Sequence, residues 1–175
     1  MNPGLLSLKS TIGNQRTLVI ACQECNLEHE ETAGVYFYTT LGNMLYRYDI
    51  LQQDIIRHYI EDKGCTQIIV CGHHHCGILD HILQDNTSRS VLNALQFNLI
   101  IAQKGSRLIR SRVREQILVE LNIIQQCNLL MEYDFIRERV EIGNLKIVGA
   151  IITPDDDVFQ LYCNGFSYNN LISLN

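Results

Sequence analysis

Proline is scarce in this chain, two in 175 residues, and no stretch rich in serine and glycine offers the composition of a linker. That scarcity argues against domains on flexible tethers. The length suits one core, so residues 1–175 are expected to form a single domain. Long apolar runs are also missing. None approaches the roughly 20 residues needed to cross a bilayer, so no membrane partner is expected. The opening Met1-Asn2-Pro3-Gly4-Leu5-Leu6-Ser7-Leu8-Lys9 lacks the basic region and apolar stretch of a secretory leader. Together with seven cysteines, this points to a reducing, cytoplasmic location. An excess of positive charge is the third absence. At a net charge of −5, a nonspecific hold on a phosphate backbone requires a segregated basic face. The one cluster, Arg107, Arg110, Arg112 and Arg114, opposes a helical stripe of Leu108, Ile109, Val113, Ile117, Leu118 and Leu121. It reads as a solvated or subunit-contact surface, and no nucleic-acid partner is expected.

What is present alternates between strand and helix. Thr17-Leu18-Val19-Ile20-Ala21 is a continuous apolar run of the kind found in parallel strands covered on both faces, and it ends at Cys22. Val35 to Thr40 is rich in β-branched and aromatic residues and reads as a second strand. From Asp49 the spacing of Ile50, Leu51, Ile55, Ile56, Tyr59 and Ile60 predicts a helix, with Asp49 and Gln52 as a capping box and Gly64 as its stop. Gln67 to Cys71 is a third strand. Helices are expected over Ile78 to Leu83, Val91 to Gln103, and Ser106 to about Cys127. Leu145 to Ile152 is a strong strand, Pro154 to Asp157 a turn, and Val158 to Tyr162 its antiparallel partner at an edge. The order predicts an α/β fold: a mostly parallel central sheet flanked by helices, joined by right-handed crossovers, with one antiparallel edge strand.

Ligands of open α/β sheets collect beyond the carboxyl ends of the strands. Two segments rich in metal donors end there. One stops at Cys22, and the other runs Cys71-Gly72-His73-His74-His75-Cys76-Gly77. His73 and Cys76, separated by two residues at the start of a helix, can aim at one ion, and Cys22 would supply a third bond from the neighbouring strand. Two thiolates and an imidazole suit Zn2+, which is closed by a fourth protein ligand in structural sites and keeps a water in catalytic ones. Glu28-His29-Glu30-Glu31 reads as an exposed acidic loop.

On these residues the chain resembles the β-class carbonic anhydrases, zinc enzymes that hydrate carbon dioxide to bicarbonate. The family's second signature, Gly-His-x-x-Cys-Gly, is met in full by Gly72 to Gly77. Its first, Cys-x-Asp-x-Arg, corresponds to Cys22-Gln23-Glu24-Cys25-Asn26. Gly42-Asn43 stands where the family has Asn-Ala-Gly-Asn, and the likeness covers roughly residues 17 to 162. The resemblance implies zinc on Cys22, His73 and Cys76, carbon dioxide and bicarbonate as substrates, and a homodimer or higher homo-oligomer with the metal near a subunit interface.

The first signature departs from the family. Its Asp is held by the Arg two residues on, whereas Glu24 has a longer arm and Asn26 offers neither charge nor fork. Glu24 is expected to be the catalytic carboxylate that pairs with the metal's water, or else a ligand that displaces it. Cys25 offers another way to close the site, as Cys22-x-x-Cys25 with His73 and Cys76. Three activities follow. The first is hydration of carbon dioxide by zinc-bound hydroxide; the second is a closed-site zinc protein with a binding or regulatory role; the third is hydrolysis of another small heterocumulene.

Overall fold

The apolar run Thr17–Cys22 forms strand β1 and is buried at every position. Its place in the sheet explains this. Parallel partners pair with both of its edges, Val35–Thr40 (β2) and Gln67–His73 (β3), and apolar layers packed on both faces of the sheet keep it from water. The computed structural model describes residues 8, 11–25, 27, 33–79, 111–153 and 157–167, and its six strands lie in the order β2-β1-β3-β4-β5-β6. Lys146–Ile152 (β4) runs parallel to β3, and Val158–Cys163 (β5) antiparallel to β4. The mostly parallel α/β sheet with an antiparallel edge is as expected, with one addition. β5 is not outermost, because Asn164 and Gly165, at φ 46° and 93°, turn the chain into the two-residue strand Phe166–Ser167 (β6).

Side-chain alternation along β1 and β3 divides the core. Leu18, Ile20, Ile68 and Val70 face one side, and Val19, Ala21, Ile69 and Cys71 face the other, where Leu8 and Ile12 cover them. The first side receives three helices: Ile50–Glu61 (α1), Ser111–Glu132 (α2) and Asp134–Glu141 (α3). In α1 the carboxylate of Asp49 accepts the Gln52 N–H at 3.1 Å, but the reciprocal half of the expected box is absent. The Gln52 side chain is buried and accepts the Tyr46 N–H at 2.7 Å instead. Ile56 and Ile60 are buried as expected, whereas Ile50 and Leu51 are exposed. α2 runs five residues past the expected end. α3 was not anticipated, since Ile136 is its one buried residue and gives little periodic signal. The expected helix Val91–Gln103, most of Ile78–Leu83, and Arg107 and Arg110 lie outside the described residues.

Ile123 of α2 lies directly on the sheet. A Cβ at Gly72 would come 2.7 Å from its Cδ1, and one at Gly149 would come 2.8 Å from its Cγ2, so both strands need glycine beneath it. No helix among the described residues is long and apolar enough to cross a membrane.

Candidate metal centre

β3 extends two residues beyond its apolar run, because its pairing with β4 continues through Gly72↔Ile151 and His73↔Ile152. His73 is therefore a strand residue with a fixed backbone. Cys22 ends the adjacent β1, so the two side chains emerge at the same end of neighbouring strands. After His73 the chain turns sharply, with His75 at φ 56°, and brings Cys76 back to face Cys22.

The two sulfurs are 3.8 Å apart. A disulfide needs about 2.05 Å. Two thiolates each about 2.3 Å from a tetrahedral zinc stand about 3.8 Å apart. The imidazole of His73 places Nδ1 3.0 Å from the His74 carbonyl, which fixes the ring and turns Nε2 inward. That Nε2 is buried and has no hydrogen-bond partner. A desolvated, unpartnered nitrogen is costly, and a metal ion would satisfy it. Cys22, Glu24, His73 and Cys76 place one donor atom each within 4.8 Å of the others. The set fits zinc, whose preferred donors are thiolate, imidazole and carboxylate.

Glu24 sits in the 3-10 turn Gln23–Cys25. Its Oε2 accepts the Gly77 N–H at 2.8 Å and lies 3.8 Å from His73 Nε2. A Cβ on residue 77 would stand 3.1 Å from Glu24 Oε1, so glycine keeps this approach open. A backbone donor thus holds the carboxylate where the resemblance led one to look for a guanidinium; Asn26 lies outside the described residues.

Hydrogen bonding from Cys76 draws the Cys22 thiol down to about 4, helped by His73 and by the N–H groups of Glu24 and Gly42, and opposed by burial. Cys76 is raised for the complementary reason: it is the donor to Cys22, and it is buried. Burial lowers His73, but interaction with the Cys22 thiolate outweighs it and the net shift is upward.

Cys25 stands apart. It packs against the apolar clusters and lies outside the donor group, and burial pushes its thiol up to about 12. His74 and His75 also lie outside the group, with ring centres 6.3 Å apart. The acidic stretch 28–31 falls outside the described residues.

A buried amide chain beside the centre was missed in the sequence reading. Asn43 donates to the Cys71 carbonyl at 3.2 Å, and Asn122 donates to Asn43 Oδ1 at 2.5 Å and to the Gly42 carbonyl at 2.8 Å. Gln126 donates to Asn122 Oδ1 at 3.0 Å and accepts the Leu45 N–H at 2.8 Å. The available signal was two amides four residues apart on the face that buries Val119, Ile123, Cys127 and Leu130.

A family model described as carbonic anhydrase matches residues 17–158. A curated carbonic anhydrase from Helicobacter pylori is 28% identical over 153 residues, which span 76% of this chain and 69% of that protein. Among solved structures, the β-carbonic anhydrase CafD of Aspergillus fumigatus superposes with a TM-score of 0.71 at 22% identity, over 85% of this chain and 90% of that one. A tetrameric β-carbonic anhydrase from Sordaria macrospora gives 0.72 at 20% identity, over 93% and 88%.

Proposed function

Since the chain belongs to the carbonic anhydrase family and has the fold of its β class, we propose that it catalyses the reversible hydration of carbon dioxide to bicarbonate, with Zn2+ held by Cys22, His73 and Cys76. The observation that carries this reading is the pair of sulfurs 3.8 Å apart beside a buried, unpartnered imidazole nitrogen. Zinc there supplies Lewis-acid chemistry, lowering the pKa of water from near 16 to about 7.

The chain's own groups do the rest. Both thiols give up their protons on binding metal, the first readily because Cys22 is already held near 4. The His74 carbonyl keeps the His73 ring in one tautomer and orientation. Glu24, steadied by the Gly77 N–H, accepts a hydrogen bond from the reacting water and orients it. His74, His75 or Glu24 would carry the proton outward.

A second reading rests on Glu24 itself. Its carboxylate is one of the four clustered donors, so it also suits the fourth position, where it would exclude water and close the site. Cytoplasmic location and a homodimer or larger homo-oligomer complete the proposal. Exposed Leu41, Tyr48, Ile50 and Leu51, beside the β2 edge of the sheet, support a subunit contact.

Stopped-flow carbon dioxide hydration by the zinc-loaded protein across pH tests the activity, and background rates at every pH would overturn it. Glu24→Gln separates the two roles. It keeps an acceptor for Gly77 and gives up the charge, so its rate falls if Glu24 orients water and rises if Glu24 closes the site.

A further inference from the structure

The turn at Leu41–Asn43 touches every part of the chain that brings a donor to the centre. It directly follows Thr40, which is the register partner of Cys22. Its Asn43 side chain bonds the Cys71 carbonyl, two residues before His73. Gly42 packs where a Cβ would lie 3.5 Å from Ile78 and 3.6 Å from Leu79, just beyond Cys76. The turn holds a demanding backbone, with Gly42 at φ 63° and the non-glycine Asn43 at φ 49°. Something must keep it there. That support comes from α2, where Asn122 uses both amide hydrogens on the turn and Gln126 both bonds Asn122 and receives the Leu45 N–H.

All three amides are buried, and buried amides cost stability unless fully bonded. A purely apolar face on α2 would cover the sheet equally well but would leave the Gly42 carbonyl and the Leu45 N–H without partners. We infer that Asn122 and Gln126 are positioning residues for the metal centre, acting on the Cys22 sulfur and the His73 strand through the Gly42–Asn43 turn. Because Thr40, the register partner of Cys22, leads directly into the turn, the turn's position bears on where the end of β1 and its sulfur sit. Outer partners of this kind typically change metal affinity by 10- to 100-fold when removed.

This assignment rests on the zinc reading above, and its test separates the two. In Asn122→Leu the zinc dissociation constant, measured by competition with a chromophoric chelator, is expected to rise about 10- to 100-fold. The thiolate-to-metal charge-transfer band of the Co2+-substituted protein is expected to shift with it. Ile136→Ala, which opens a cavity under α3, is the control: it lowers thermal stability and leaves both readouts in place. Should Asn122→Leu fail to fold, Gln126→Met is read in the same two assays. Wild-type affinity and spectrum in the folded variant overturn the assignment alone, as does an equal loss in the control. A wild-type chain that takes up no zinc overturns the metal site itself, and the assignment with it.

Discussion

Gly72→Ala tests whether the contact between α2 and the sheet is as tight as the geometry makes it. The new methyl would lie 2.7 Å from Ile123 Cδ1, and 3.0 Å from both Ile123 Cγ1 and Val119 Cγ1. Ordinary carbon contacts begin near 3.5 Å, so the overlap is about 0.5 to 0.8 Å on three atoms. Ile123 is fully buried and is already pressed onto Gly149 on its other side, so it has nowhere to move. Overpacking of this kind costs about 1–3 kcal/mol. Ile123→Val removes Cδ1, the nearest atom, and alone costs about 0.5–1.5 kcal/mol. In the double variant the cavity and the methyl compensate, so the combined loss should fall short of the sum by about 0.5–2 kcal/mol. Urea unfolding of the zinc-free protein gives all four corners of the cycle. Losses that add to within about 0.5 kcal/mol would refute the argument.

Two further outcomes follow. Cys25→Ser should retain stoichiometric zinc by elemental analysis, whereas Cys22→Ser and Cys76→Ser should each lose it; loss on Cys25→Ser would place Cys25 among the ligands. The depressed Cys22 pKa gives the zinc-free protein stability that is complete above pH 9, shrinks as pH falls, and is gone below about 4. The raised Cys76 has the opposite sign and acts only above its ordinary value of 9.0. His73, raised by the same thiolate, opposes this just above its ordinary 6.5, so the stability difference between wild type and Cys22→Ser should grow as pH is raised from about 4 toward 6.5, and a flat difference there would contradict the thiolate assignment.

The strands were legible because a parallel strand buried on both faces carries an unbroken apolar run, and Thr17–Cys22 and Gln67–His73 do so. The candidate donors Cys22, His73 and Cys76 were legible because they sit at or just beyond the ends of those runs. Glu24 was identifiable as a carboxylate near the candidate metal centre, but its partner was not, since the Gly77 N–H belongs to the backbone and no residue type announces it. Ile50 and Leu51 fitted the helical period yet face outward, since periodicity registers apolar residues and is blind to which of them meet the core. Asn122 and Gln126 escaped notice for a related reason. Their partners are the carbonyl and N–H of a turn about 80 residues earlier in the chain, and only the closed structure brings the two together.

Strand order also dictates when the centre comes into being. His73 and Cys76 are neighbours in the chain, but Cys22 precedes Cys76 by 54 positions and joins them only once β1 has docked against β3. A nascent or refolding chain thus offers these donors in two separate pieces, Cys22 in one and His73 with Cys76 in the other, until a non-local and therefore slow strand pairing is complete. On the proposed zinc reading, tight metal capture would be a late event, a seal on an assembled scaffold rather than a template for it.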